Sequence, residues 1–124
     1  MRKARILVVD DAGSVRELLR LHLTHAGYEV STAEDAMLAG RQVLEQPPHL
    51  IITDIHMPYM SGIELVAALR SDPGVPDIPV IFLTAGDERA GMDGRLRAAA
   101  WLRKPVNAAR LLEVVALQVP GSAA

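Results

Sequence analysis

Short apolar runs alternate along the chain with longer stretches in which apolar residues recur every three or four positions. The first run, at residues 6–9, is rich in branched side chains without interruption by polar ones, which is typical of a strand buried on both faces. Similar runs predict strands at 50–54 and 80–84, and shorter or less apolar segments predict strands at 28–32 and 100–102. Strands of this kind favour a parallel sheet.

Helices are predicted between the strands, where the apolar residues follow the helical period. Ser14 with Glu17, and Ser61 with Glu64, match the capping box that begins many helices. Asn107 is a typical cap for the last helix. A glycine ends the first helix and a proline pair ends the second.

The stretch 87–100 is the weakest of the predicted helices. Gly91 and Gly94 lie within it, and each costs about 1 kcal/mol relative to alanine in a helix interior. We therefore expect a short or irregular helix in this part of the chain.

Alternation of buried strands with amphipathic helices predicts an α/β fold. Because parallel crossovers are right-handed and cover the sheet, we expect an open, doubly wound, five-stranded parallel sheet with helices on both faces. Among the common strand orders of such sheets we expect 2-1-3-4-5, the flavodoxin-like one. Residues 1–119 are expected to form one domain, and residues 120–124 a disordered C-terminal stub.

Composition narrows the classes of function that remain. The chain has 124 residues, of which 50% are apolar and 23% charged, enough for one core without covalent cross-links. A formal net charge of −2 predicts no direct binding to nucleic acid or to an anionic membrane. The absence of cysteine excludes disulfides and thiolate chemistry, and no apolar stretch suits a leader or a spanning helix. We expect a cytoplasmic protein.

Polar residues stand where four of the predicted strands end, and most of them are aspartates. Asp10 and Asp11 end the first strand, Asp54 the third and Thr84 the fourth, while Lys104 follows the fifth. The carboxyl ends of parallel strands meet at one edge of a sheet, where such folds bind ligands. Carboxylate oxygens suit Mg²⁺, which favours phosphate groups as further ligands, so we expect a phosphoryl site.

The same residues resemble the receiver domain of bacterial two-component response regulators, and the resemblance covers nearly the whole chain. It lies in four phrases that stand in the family's order and approximate spacing: Val8-Val9-Asp10-Asp11, Asp54-Ile55-His56-Met57-Pro58 with Gly62 following, Leu83-Thr84-Ala85, and Lys104-Pro105. Each phrase is weak alone, but together they are specific.

The resemblance implies that Asp54 is the phosphoacceptor and receives its phosphoryl group from a histidine kinase or a phosphotransfer protein. It also implies that Asp10, Asp11, Asp54 and the backbone carbonyl of Ile55 hold Mg²⁺. Output is expected to pass to a downstream protein target or to an output domain absent from this chain.

Further roles are implied for residues around the phosphoacceptor. Thr84 and Lys104 would bind the phosphoryl oxygens, and the bond from Lys104 to the following proline is expected to be cis. Trp101 stands where the family usually has Tyr or Phe, so Thr84 and Trp101 are the expected switch pair. His56 and Gly86 flank the expected path of attacking water and are candidates for setting the lifetime of the phosphorylated state.

Two alternatives use the same fold differently. One is a phosphatase-like hydrolase that forms an aspartyl phosphate, but His56 stands where that class needs a second acid, two residues after the nucleophile. The other is a mononucleotide binder, but Asp10 and Asp11 would repel a phosphate from the loop after the first strand. A self-modifying signalling domain, rather than an enzyme acting on other substrates, remains the main expectation.

Overall fold

The computed structural model describes residues 3–86 and 97–119, which form a parallel sheet covered by helices. The strands are β1 (Arg5–Val9), β2 (Glu29–Ala33), β3 (Leu50–Asp54), β4 (Val80–Thr84) and β5 (Ala100–Arg103). The helices in these ranges are α1 (Gly13–His25), α2 (Ala36–Glu45), α3 (Gly62–Ser71) and α4 (Ala108–Gln118). The α/β prediction and all five predicted strands are confirmed, with bounds that differ by at most a few residues.

The strand order is β2-β1-β3-β4-β5, as predicted for an open, doubly wound sheet. Val9 pairs with Thr53 across β1 and β3, and Asp54 pairs with Leu83 across β3 and β4. All pairs are parallel, so the carboxyl ends of the strands lie at the same edge. This register brings the polar residues that follow the strands toward one another.

Two hydrophobic cores lie on the two faces of the sheet. Successive residues of β1 point to opposite faces, so Ile6 and Val8 belong to one core while Leu7 and Val9 belong to the other. The first core includes buried side chains of α1 and α4, and the second those of α2 and α3. Burial on both faces explains why the sequences of β1, β3 and β4 are nearly continuous apolar runs.

Two of the three helix caps predicted from the sequence are confirmed. The capping box of Ser61 and Glu64 is present, with Ser61 Oγ accepting from the Glu64 amide at 3.1 Å. The Asn107 side chain accepts from the Arg110 amide at 2.9 Å.

The predicted capping box of Ser14 and Glu17 is wrong. The helix α1 begins at Gly13 with Ala12 as its N-cap, and within the described chain no side chain caps it. Ser14 lies inside the first turn, and Glu17 instead contacts the Arg20 guanidinium at 2.5 Å. The start of α1 is set by the loop after β1, where the Ala12 amide donates to Asp10.

Two predictions concern residues outside the described ranges. Most of the weak helix expected at 87–100 falls on residues 87–96, and the expected stub is residues 120–124. Among the described residues, no helix has both the length and the apolar character needed to cross a membrane.

Candidate functional site

Three carboxylates meet at the carboxyl edge of the sheet. Oxygens of Asp10, Asp11 and Asp54 lie within 4.8 Å of one another. Asp10 is fully buried and Asp54 is 5% exposed, whereas Asp11 is exposed to solvent. The cluster therefore has two recessed oxygen donors and one at the surface, which is a donor set that suits a hard divalent cation.

Asp10 is held rigidly from its own loop. Its Oδ1 accepts a hydrogen bond from the Ala12 amide at 2.9 Å, and its backbone carbonyl accepts from the Arg16 guanidinium at 2.7 Å. Within the described ranges, Oδ2 is buried and makes no hydrogen bond of acceptable geometry, although the Lys104 ammonium lies 2.9 Å away. A buried carboxylate oxygen without a hydrogen bond is costly unless a cation compensates it.

Lys104 is the cation nearest to both buried carboxylates. Its Nζ lies 2.9 Å from Asp10 Oδ2 and 3.2 Å from Asp54 Oδ2. Its backbone amide donates to the Thr84 carbonyl at 2.7 Å, and the following peptide bond to Pro105 is cis, as expected. Burial lowers the pKa of Lys104, but the contacts with Asp10 and Asp54 outweigh it and raise the pKa overall.

The carboxyl group of Asp54 has a raised pKa. Burial is the main cause and repulsion by Asp10 adds to it, while Lys104 and the His56 amide act in the opposite direction. That amide lies 3.4 Å from Asp54 Oδ1. The ionised carboxylate is thus more basic than an exposed aspartate and lies beside a positive charge.

The Thr84 hydroxyl is engaged with Gly86 rather than with the carboxylates. It accepts a hydrogen bond from the Gly86 amide at 2.9 Å and donates a short one to the Gly86 carbonyl. The hydroxyl must leave this pairing before it can contact a group bound at Asp54.

The loop after Asp54 contains two predicted site residues. The Ile55 carbonyl accepts a hydrogen bond from the Gly62 amide at 2.9 Å, which directs one of its lone pairs toward the start of α3. Ile55 is buried, whereas His56 is exposed at the rim. This hydrogen bond leaves the Ile55 carbonyl with less capacity to bind a cation than the three carboxylates have.

Trp101 lies in β5, the edge strand that pairs with β4. Its ring stacks on Phe82 with centroids 4.8 Å apart and planes inclined by 28°. Phe82 is fully buried and precedes Thr84 by two positions on β4. The indole is therefore coupled by packing to the strand that carries the predicted switch threonine.

One residue of the site, Arg16, was not singled out from the sequence, and Gly62 was named only as part of the motif after Asp54, without a structural role. Arg16 binds the Asp10 carbonyl, and Gly62 allows α3 to begin directly against Asp54. A positive charge in the first turn of a helix is unfavourable because of the helix dipole. An arginine at this position therefore indicates that its side chain has a binding partner. A glycine inside a helix is likewise a signal of close backbone approach.

Comparison with known proteins gives a consistent family. A family profile described as "Response regulator receiver domain" matches residues 6–116. This match favours the signalling interpretation over the hydrolase and the mononucleotide binder.

Two relatives are similar to this chain over most of its length. The phosphate regulon transcriptional regulatory protein PhoB of Pseudomonas aeruginosa is 38% identical over 122 residues, covering 94% of this chain and 53% of that protein. Response regulator PleD of Caulobacter vibrioides is 40% identical over 106 residues, covering 84% of this chain and 23% of that protein. The chain thus spans about half the length of one relative and about a quarter of the other.

The fold is also found in solved structures. The chemotaxis response regulator CheY4 of Vibrio cholerae has a TM-score of 0.87 and 32% identity, covering 95% of this chain and 100% of that one. A structure described as a putative response regulator from Chloroflexus aurantiacus has a TM-score of 0.86 and 33% identity, covering 94% and 97% of the two chains.

Proposed function

Because the chain belongs to the response regulator receiver domain family, we propose that it is a signalling domain controlled by phosphorylation of Asp54. The phosphoryl donor is a histidine kinase or a phosphotransfer protein. The observation that carries the proposal is the convergence of two buried carboxylates, Asp10 and Asp54, on the ammonium of Lys104. A buried acid with a raised pKa beside a lysine is suited to nucleophilic attack on a phosphoryl group.

Mg²⁺ is the cofactor of the proposal. The donor set fits it, because all three carboxylates offer oxygen ligands and Asp10 Oδ2 is buried without a hydrogen bond among the described residues. Asp10, Asp11 and Asp54 would hold the ion with one backbone carbonyl, either that of Ile55 or that of His56, the next residue. When bound, the ion neutralises charge on the incoming phosphoryl group and on the carboxylates.

Asp54 acts as the nucleophile. One of its carboxylate oxygens attacks the phosphorus of the donor's phosphohistidine, and an acyl phosphate bond forms as the phosphorus–nitrogen bond breaks. The bonding pair returns to the imidazole nitrogen of the donor, which can then take up a proton from water.

Lys104 and Thr84 bind the transferred group. The Lys104 ammonium already lies 3.2 Å from Asp54 Oδ2, so it can bind an oxygen of a phosphoryl group on Asp54 without a large movement. Thr84 must exchange its hydrogen bonds with Gly86 for one to the phosphoryl group. This exchange is the proposed first step of the switch.

Trp101 is the proposed second part of the switch. Movement at the end of β4 changes the packing of Phe82, which stacks on the indole. The new arrangement alters the surface next to β5 and favours binding of a downstream partner. Because the chain spans only part of its relatives, that partner is either another protein or an output domain of a longer protein.

His56 and Gly86 are proposed to set how long the phosphoryl group remains. His56 is exposed next to Asp54 and can orient an attacking water, and Gly86 has no side chain to shield the site. We expect His56→Ala to slow the loss of the phosphoryl group and Gly86→Glu to change its rate as well. Equal decay rates in both variants and the parent would remove this part of the proposal.

The chain is further proposed to act at one location and to convert no substrate other than itself. Kinases draw phosphoryl groups from cytoplasmic ATP, so the chain is proposed to act in the cytoplasm. Its chemistry is limited to its own phosphorylation and dephosphorylation.

Acetyl phosphate tests the metal role without a protein donor. Incubation with Mg²⁺ should add one phosphoryl group to the intact chain, and EDTA should abolish the addition because three carboxylates repel an incoming phosphate. Labelling that persists in EDTA would contradict the role given to Mg²⁺.

A further inference from the structure

Tyr59 combines high exposure with an unusual backbone conformation. It is 96% exposed, the highest value for a large apolar side chain within the described ranges. Its φ is 71°, in the left-handed region that residues with a side chain rarely adopt. Across it, the Met60 amide donates to the Pro58 carbonyl at 2.8 Å. This is the pattern of a γ-turn with a positive central φ, a rare and strained turn.

The contacts of the residues around Tyr59 account for the conformation of the loop but not for the presence of an exposed tyrosine in it. Met57 and Met60 pack against the core, and the Gly62 amide closes the base of the loop on the Ile55 carbonyl at 2.9 Å. Glycine at this position would form the same turn without strain. An exposed tyrosine here therefore points to a contact outside the chain's own fold.

The position of Tyr59 lies inside the area that a protein donor must cover. Asp54 is 5% exposed, so the donor's phosphorylated side chain has to enter a recess while the rest of the donor rests on its rim. A stable interface covers about 800 Å² on each partner, a patch of roughly 16 Å radius. Tyr59 follows Asp54 by five residues. Tyr59 also precedes Gly62 by three residues, a span of at most about 11 Å. Because Gly62 packs against the Asp54 backbone, this span keeps Tyr59 within the patch.

We propose that Tyr59 is a specificity-determining contact for the phosphorylated, histidine-containing protein that donates to Asp54, an inference that rests on the proposed function. Tyrosine suits this role because its ring offers a large, rigid contact area at low entropic cost. The turn holds the ring away from the core, where it is available to the donor and takes no part in the chemistry at Asp54.

The test compares a protein donor with acetyl phosphate, which needs no docking surface. The protein donor is the autophosphorylated core of a histidine kinase, chosen from a panel as the one that labels the parent chain fastest. The variants are Tyr59→Ala, Tyr59→Gly and Tyr59→Phe. Leu117→Ala is the matched control, because Leu117 is 80% exposed but lies near the end of α4, far along the helix from the site.

With the kinase as donor, Tyr59→Ala and Tyr59→Gly should lower kcat/KM about tenfold, mainly through KM, as expected for a central aromatic contact. Tyr59→Phe and Leu117→Ala should stay near the parent value. With acetyl phosphate, all four variants should be labelled at the parent rate. The melting temperature of Tyr59→Gly should not fall, since glycine relieves the turn.

Each of the other possible results overturns the inference, and the results differ in what they imply for the proposed function. Equal kinase-dependent rates in Tyr59→Ala and the parent would exclude a docking role and leave the proposed function intact. A loss of the same size with acetyl phosphate would assign the ring to the site itself, and a loss in Tyr59→Gly alone would assign the effect to the backbone. A parent chain that accepts phosphoryl groups from no donor would overturn the proposed function together with this inference.

Discussion

A Cβ atom at Gly62 would lie 2.1 Å from the backbone oxygen of Asp54. The first residue of α3 therefore packs directly against the proposed phosphoacceptor, and only a residue without a side chain fits there. The Thr53 hydroxyl, which donates to the same Asp54 oxygen at 3.0 Å, would also lie 3.0 Å from that Cβ. The start of α3 thus helps to fix where Asp54 stands.

Gly62→Ala should destabilise the chain and reduce phosphorylation together. The added methyl group meets backbone rather than a flexible side chain, so β3 and α3 must separate, at a cost of about 1–3 kcal/mol. Urea unfolding measures the loss. Gly40→Ala is the control, because no atom of the described residues lies within 4 Å of its added Cβ. That control should be neutral or stabilising by up to about 1 kcal/mol, and equal losses in the two variants would contradict the account.

Lys104→Met should abolish phosphorylation while leaving metal binding in place. Removing a charge that stabilises the transferring group typically costs about 10²-fold or more in rate. Without the ammonium the carboxylates are less neutralised, so Mg²⁺ should bind at least as tightly as in the parent. Calorimetry with Mg²⁺ and labelling by acetyl phosphate measure the two effects. Lys3, the other lysine of the chain, is exposed and supplies the control Lys3→Met.

Asp54→Asn should stabilise the metal-free chain near neutral pH. Burial and Asp10 raise the pKa of Asp54. The folded state therefore keeps this proton to a higher pH than the unfolded chain does. Stability then falls as pH rises from the ordinary aspartate range through the raised pKa, by about 1.4 kcal/mol for each pKa unit of elevation.

Urea unfolding in EDTA at several pH values measures this difference. The variant should be more stable than the parent above the raised pKa, and the gap should close in acid, where Asp54 is protonated in both states. A variant that is less stable than the parent near neutral pH would contradict the assignment of the raised pKa.

Trp101 should report the phosphorylated state by its fluorescence. It is the only tryptophan in the chain, and its ring stacks on Phe82. Beryllofluoride with Mg²⁺ mimics the phosphoryl group and should shift or quench the emission of the parent but not of Asp54→Asn. Constant emission, with binding at Asp54 verified by calorimetry, would show that the site is not coupled to the surface through Trp101.

The sequence was sufficient for β1, β3 and β4 because these strands are buried on both faces. The run predicted at 6–9 forms β1 (Arg5–Val9). Its uninterrupted apolar character can be recognised without knowing which strands lie beside it. The helix start at Ser61 was also predictable, since a capping box is a local interaction.

Specific atomic contacts, even between residues close in the sequence, could not be predicted in the same way. The capping box predicted at Ser14 is absent because the Ala12 amide donates to Asp10 and α1 begins at Gly13, before Ser14. The pairing of the Thr84 hydroxyl with Gly86 and the approach of Gly62 to Asp54 depend on backbone positions that periodicity does not specify. Sequence patterns indicate which face is buried, not which atoms meet there.

The most direct test of the account is the intact mass of the parent and Asp54→Asn after incubation with acetyl phosphate and Mg²⁺. The parent should gain one phosphoryl group, and peptide mapping should locate it on Asp54. Asp54→Asn should gain none, because the remaining carboxylates, Asp10 and Asp11, are proposed to bind the metal rather than attack phosphorus. A phosphoryl adduct of undiminished yield in Asp54→Asn would contradict the central claim.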